Sequence, residues 1–196
     1  LLADYPEAAK LVKDRGRVFS RDCLELEVVL GDKRVTIFVC HFKSMSDGRE
    51  KTMPVRQLES IAVREIINRK FADPANALWA VCGDLNDYRT IIKIAKGTNA
   101  ETVEELTPSQ KSGIDPLLQD GFGVNVMNLV PAADRWTHYY SGKRHKTQID
   151  HVITSPLMAT KVVGMPQIIR AGLPFRVPNT DAVTRFPRVG WDRPKA

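Results

Sequence analysis

The side chains with the greatest chemical reach sit in Leu78-Trp79-Ala80-Val81-Cys82-Gly83-Asp84-Leu85-Asn86-Asp87. Asp84 sets a carboxylate, an acceptor when ionised, two residues from the Asn86 carboxamide, which both donates and accepts. That pairing suits the positioning of a water molecule against a phosphate. The apolar run from Leu78 to Cys82 is too short for an ordinary helix, and Asp73-Pro74 breaks the chain just upstream, so the segment reads as a buried strand. In extended backbone, alternate side chains share a face. Asp84 and Asn86 should therefore stand together where the strand meets solvent, with Leu85 turned away. An Asp/Asn-rich turn that caps the strand accounts for the same residues without any chemistry.

Three more segments carry reactive groups. Val39-Cys40-His41-Phe42-Lys43-Ser44 puts a histidine where an apolar strand ends, Gln148-Ile149-Asp150-His151 puts an aspartate early in another, and Phe19-Ser20-Arg21-Asp22 brings an arginine ahead of the first strand. Each has an ordinary alternative: a capped strand, a satisfied core histidine, a surface ion pair. Arg21 is expected in an ion pair that ties the first strand to its neighbours, and Asp87 either caps the turn or lies at the rim of the site. His151 follows Asp150 and must face the other way, which assigns it to packing. The loop Lys143-Arg144-His145-Lys146 could meet phosphates or be a solvated hairpin tip. Trp136 and Tyr139 could stack on a base or sugar, with core packing the favoured reading.

The elements that must position these residues can be read from periodicity. A short helix is expected over Pro6 to Val12, then a polar link from Lys13 to Arg17. Leu24, Leu26 and Val28 alternate with Glu25 and Glu27. After the turn Gly31-Asp32-Lys33, the run from Val35 to Cys40 is nearly all apolar and rich in β-branched residues. The pair predicts an antiparallel hairpin whose second strand is more deeply buried and closes at His41. A helix follows from Pro54 to Phe71, with Val55, Leu58, Ala62, Ile66 and Phe71 as its apolar stripe and Ile61 and Ile67 beside them. Arg56, Glu59, Arg64, Glu65 and Arg69 lie on its other face, and we assign this helix packing and no chemistry. Beyond the Asp84 segment, short helices are expected over Thr90 to Lys96 and Glu101 to Leu106, with a break at Gly113 to Pro116. Phe122 to Val130 is loop or strand. Strands are expected over Trp136 to Tyr140 and Gln148 to Thr154, on either side of a basic loop from Ser141 to Thr147. The Pro- and Gly-rich remainder from Pro156 should be mainly loops. Strand, strand, helix, strand in that order implies an α/β layered domain.

Composition sets outer bounds. The 196 residues are 43% hydrophobic and 27% charged, the balance of one globular domain with a sizeable core. No apolar run is long enough to span a membrane and no stretch resembles a signal peptide; the cytoplasmic lean comes from cysteines read as reduced thiols, with export left open because the N-terminus is expected to be missing. A net charge of +6 and a pI near 9.3 favour acidic partners such as nucleic acid. Cys23, Cys40 and Cys82 are odd in number and lie in or beside apolar strands, so they read as buried reduced thiols without metal spacing.

Taken together, the histidine strand Val39-Cys40-His41-Phe42-Lys43-Ser44, the segment Gly83-Asp84-Leu85-Asn86, and Trp136-Thr137-His138-Tyr139-Tyr140 leading into Gln148-Ile149-Asp150-His151-Val152-Ile153 resemble the endonuclease/exonuclease/phosphatase family. This family includes deoxyribonucleases, apurinic endonucleases, sphingomyelinases and inositol-polyphosphate phosphatases. The likeness covers Phe19 to Ser155. It implies a four-layer α/β sandwich, here partial, of two mixed β-sheets packed face to face with helices outside. It also implies hydrolysis of phosphoesters by an activated water with Mg2+, or Mn2+ or Ca2+, as cofactor. By the same resemblance, Asp84 polarises the attacking water and contacts the metal, and Asn86 holds a phosphate oxygen. His41 serves on the phosphate side as hydrogen-bond donor or acid. Asp150 acts as a buried carboxylate that orients a catalytic histidine. Lys143 and Arg144 are the expected substrate-binding residues. The family's early Asn and Glu strands and its closing Ser-Asp-His are not found, although Asp192-Arg193-Pro194 resembles the closing segment without its histidine. We therefore expect a single monomeric domain over 1–196 that is truncated at both ends and inactive by itself. A nuclease is favoured over a sphingomyelinase-like or inositol-phosphatase-like enzyme. A non-catalytic nucleic-acid-binding or interaction domain that kept the fold is the alternative from another class.

Overall fold

The computed structural model describes residues 1–14 and 16–170. Expectations for part of the Lys13 to Arg17 link, for Pro174, Pro178, Pro187 and Pro194, and for Asp192-Arg193-Pro194 fall outside these residues. The elements are helix α1 (Pro6–Asp14), strands β1 (Cys23–Leu30) and β2 (Lys33–His41), helix α2 (Arg49–Lys70), strands β3 (Trp79–Asp84), β4 (Thr90–Ile94) and β5 (Glu101–Glu105), helix α3 (Asp115–Leu118), strands β6 (Val124–Asn125), β7 (His138–Tyr140), β8 (His145–Thr147) and β9 (Asp150–Thr154), and helix α4 (Pro156–Ala159). The α/β class is as expected, with two β-sheets in a partial sandwich.

The first sheet has the order β1-β2-β3-β9-β6 and is mixed: β2 and β3 run parallel, joined through α2, and the remaining pairs are antiparallel. The second, β5-β4-β8-β7, is antiparallel throughout rather than mixed. The chain passes between the two sheets from β3 to β4 and again from β8 to β9. One face of the first sheet is closed by α2: Phe38, Cys40, Val81 and Ile153 pack with Val63 and Ile67 of the helix around Trp79. The far side of α2 presents Leu58 and Ile61 to Tyr5 and Ala8 of the α1 region, which forms a third layer. The sheet's other face carries Leu24, Val39, Cys82 and Val152 in register. On this face Leu24 is 54% exposed, whereas Val39 and Cys82 are half-buried. A separate small cluster of Ile92, Trp136 and Tyr139 sits on the second sheet, so these aromatics are packing residues.

Three departures from the periodicity reading have plain causes. The stretches over Thr90 to Lys96 and Glu101 to Leu106 form strands β4 and β5 rather than helices. Thr90-Ile91-Ile92-Lys93-Ile94 is β-branched at four of five positions, which restricts χ1 in a helix and suits a pleat paired on both sides. Helix α2 starts at Arg49 rather than Pro54, with Pro54 inside it. The extra turn is held by side chains, since Arg56 Nη2 donates to Arg49 O and Arg56 Nη1 to Thr52 Oγ1. Finally, Arg56 and Glu59 are fully buried rather than solvated, and the packing-only reading of α2 is incomplete.

Candidate active site

Register brings three of the expected residues into one row. His41 of β2 is the parallel register partner of Asp84 in β3, and Asp84 faces Asp150 across the antiparallel β3/β9 pair. All three lie on one face of adjacent strands, at the rim where β2 and β3 end and β9 begins. His41 Nε2 lies 3.7 Å from Asp84 Oδ2. Burial raises the Asp84 pKa, and the charge of Asp150 adds to that rise; the Asn86 N–H and the imidazoles of His41 and His138 act against it, and the net shift is upward. Asp150 is exposed rather than buried: it is the first residue of β9, where its N–H donates to Thr137 Oγ1.

Asn86 joins the row by a different geometry from the one expected. The strand ends at Asp84, and Asn86 has φ +52°, a left-handed conformation that asparagine tolerates well. Its N–H donates to Asp84 Oδ1 at 2.9 Å, and its Nδ2 donates to Phe42 O at 3.1 Å. Leu85 turns away into the core, as expected. One N–H of the Asn86 carboxamide is thus committed to the chain just past His41. Arg21 Nη1 donates to the same Phe42 carbonyl, so it ties the elements together by a hydrogen bond rather than an ion pair.

Lys143 and Arg144 are not brought to the row. Arg144 Nη2 donates to Asn99 Oδ1 and its backbone carbonyl accepts from Ile94 N. This tip therefore sits at the far end of β4, roughly 16 Å of strand from the Asn86 loop.

Several positioning groups have no counterpart in the motif reading. Asp87, expected as a turn cap or rim residue, is fully buried: Oδ1 accepts from Arg49 Nε at 2.7 Å, and Oδ2 accepts from Arg56 Nε at 3.0 Å and from Gly113 N at 2.8 Å. Glu59 accepts from Ser20 N at 2.9 Å and Lys43 N at 2.8 Å, so one carboxylate fixes the chain before β1 and after β2. No periodic signal marks these residues, because a polar side chain on a helix looks the same whether it meets solvent or two backbone amides. His138 follows Thr137 in the Trp136 to Tyr140 segment; its Nδ1 is buried without a hydrogen-bond partner among the described residues, and the ring lies close enough to act on Asp84.

Gly83 is required by space. Its φ is +127°, and a Cβ there would fall 2.1 Å from the Cys40 carbonyl oxygen, a backbone atom that cannot swing aside. Gly83→Ala is expected to cost about 2–4 kcal/mol, from overpacking together with an unfavourable backbone conformation. Chemical denaturation of the purified variant measures this.

His151 packs on the opposite face, as expected. Its Nε2–H must donate, because its partner is the Asp87 carbonyl at 2.9 Å, so Nδ1 accepts from Gln148 Nε2 and Asn125 Nδ2. Burial pushes the imidazole pKa down. The unfolded chain then takes up this proton at a higher pH than the folded one. Stability is therefore retained above the ordinary imidazole value, about 6.5, and falls as pH drops below it toward the lowered folded value. His151→Gln is expected to flatten this slope in urea midpoints measured from about pH 7 to about pH 5.

A polar cavity of about 180 Å3, lined by Arg89, Asn125, Arg135, Gln148 and His151 among others, lies behind the Asn86 loop on the His151 side. The row lies on the other side of the sheet, and it is the row that joins carboxylates to imidazoles. Among the described residues no group of three or more His, Cys, Asp or Glu side chains is arranged to hold a metal ion. What the row does offer is a pair of carboxylates on neighbouring strands. This fits Mg2+, which keeps several waters and takes one or two carboxylates together with substrate phosphate oxygens. No helix among the described residues is long and apolar enough to cross a membrane. No protein-family model matches the chain, and no curated protein matches it.

Proposed function

We propose that this chain is a divalent-metal-dependent phosphoesterase domain of the endonuclease/exonuclease/phosphatase type, with nucleic acid as the favoured substrate. The observation that carries the reading is the row His41–Asp84–Asp150 across three adjacent strands, with Asn86 locked beside it. Four residues spread over more than a hundred positions of sequence meet at one rim, with types that match in-line attack of water on phosphorus. The net charge of +6 supports an anionic, polymeric substrate.

In this reading Asp84 accepts a hydrogen bond from the attacking water and positions it against the phosphorus. His41, 48% exposed on the other side of Asp84, donates to a phosphate oxygen or to the leaving group. Asn86 keeps Asp84 oriented through its backbone N–H. Asp84, with Asp150 opposite, would hold the cation, which when bound stabilises negative charge building on the phosphoryl oxygens. Asp150 is also placed to orient an imidazole brought to the rim.

The full-length protein, assayed with Mg2+, Mn2+ and Ca2+ on plasmid DNA, sphingomyelin vesicles and inositol polyphosphates, tests this. Nicking of DNA is the expected result. Hydrolysis confined to sphingomyelin or inositol phosphates moves the assignment to those enzyme types. A second reading, a non-catalytic nucleic-acid-binding or interaction domain, is favoured by one observation: Asn86 is only 7% exposed, with one N–H of its carboxamide donated to Phe42 O. Metal-independent DNA binding without hydrolysis of any substrate would select it.

A further inference from the structure

Of the three free cysteines, two are paired in space. Cys23 of β1 and Cys40 of β2 are direct cross-strand partners, and their Sγ atoms lie 3.5 Å apart, with Cys40 donating to Cys23. Both project onto the helix-covered side of the first sheet. Cys40 is buried in the core at 3% exposure, whereas Cys23, on the edge strand, is only partly covered. Cys82 belongs to the opposite face, in register with Val39 and Val152, and has no thiol partner.

We propose that Cys23 and Cys40 form an oxidisable dithiol: Cys23 is the thiol that reacts with peroxides, and Cys40 is the resolving thiol that closes a disulfide across β1 and β2.

The geometry supplies what such a pair needs. The sulfurs already touch, so closure requires an approach of about 1.5 Å from van der Waals contact to bonding distance, without moving either strand out of register. The hydrogen bond from Cys40 favours the thiolate of Cys23 and holds its pKa below the usual thiol value, while the same bond and burial push that of Cys40 up. The more acidic sulfur is also the more accessible one, the arrangement that makes a thiol selective for oxidants. In the first step the Cys23 thiolate attacks one oxygen of the peroxide; the S–O bond forms, the O–O bond breaks, and the departing hydroxide leaves as water after taking a proton. In the second, the Cys40 thiol gives up its proton and attacks the Cys23 sulfenic sulfur. The S–S bond forms, the S–O bond breaks, and a second water leaves. Two electrons pass from the dithiol to the peroxide. The new bond closes the hairpin one residue before His41, and a dithiol reductant reverses it.

The test uses the full-length protein in its native state. It is treated with hydrogen peroxide, quenched, alkylated after unfolding and mapped by mass spectrometry. A cross-linked Cys23–Cys40 peptide, two hydrogens lighter than its reduced parts and lost on dithiothreitol treatment, is expected to form about tenfold or more faster than Cys82 oxidises. Cys40→Ser should strand the sulfenic acid on Cys23, where dimedone labels it, and Cys23→Ser should abolish the cross-link. The wild-type map decides the matter even if either variant fails to fold. Recovery of Cys23 and Cys40 as separately alkylated peptides, or oxidation of Cys82 at an equal or greater rate, overturns the proposal. So does a product dominated by intermolecular disulfides. None of these outcomes depends on whether the protein hydrolyses phosphoesters.

Discussion

Asp84→Ala in the full-length protein is expected to lower kcat/KM for phosphoester hydrolysis by about a hundredfold or more, with the fold retained. Asp84 is the central member of the row, with His41 at 3.7 Å on one side and Asp150 in register on the other. If it acts on the attacking water, the loss falls on kcat rather than KM, because the interaction is made in the transition state. The alanine also removes the acceptor for the Asn86 N–H, so Asp84→Asn is the sharper variant: it keeps an oxygen for that bond and deletes only the charge. Burial raises the pKa of this carboxyl. A carboxyl whose pKa is raised on folding loses stabilising free energy as pH climbs from the unfolded value, about 3.9, through the raised value. Asp84→Asn should therefore be no less stable than the parent at neutral pH, by a margin below about 1 kcal/mol because the group remains partly solvated, and equal to it in strong acid. Wild-type rates in Asp84→Asn would remove Asp84 from the chemistry.

Asp87→Ala should produce the largest loss of stability, about 3–5 kcal/mol, seen as a fall in Tm of roughly 10 °C. The carboxylate has no solvent exposure and binds two guanidinium groups and the Gly113 amide. Without it, Arg56, itself fully buried, keeps the carbonyls of Lys43 and Arg49 and the Thr52 hydroxyl but loses its anion. A buried charge with no counterion is the costly product, more than the lost bonds themselves. For that reason Arg56→Met added to Asp87→Ala should recover part of the loss, and a double-mutant cycle measures the coupling. The loop after Asp84 would loosen as well, because Asp87 is the anchor between Asn86 and α2. A change below about 1 kcal/mol would show that Arg49 and Arg56 find other partners.

The strand ends could be read locally because a two-residue period needs only near neighbours. The alternation from Leu24 to Val28, the apolar run closing at His41 and the run from Trp79 to Cys82 each declare a strand and its exit point. Once alternation is granted, Asp150 and His151 must face opposite ways. The same reasoning failed at β4 because a five-residue β-branched run gave way to a weak helical pattern that its pairing with β5 and β8 overrules. It failed at Asn86 because one left-handed residue ends the period.

From the chain alone came the hairpin, the long helix, the reactive residues at strand ends and the glycine before Asp84. Tertiary structure alone decided that His41, Asp84 and Asp150 share one register, that Arg56 and Glu59 turn inward to hold the loops around them, that the Lys143-Arg144 tip lies elsewhere, and that Cys23 meets Cys40. The division follows from range. Backbone preference and side-chain period are set within a few residues, whereas register, burial of charge and the pairing of distant loops depend on partners 16 to more than 60 positions away, as with Lys43 and Glu59 or Asp87 and His151.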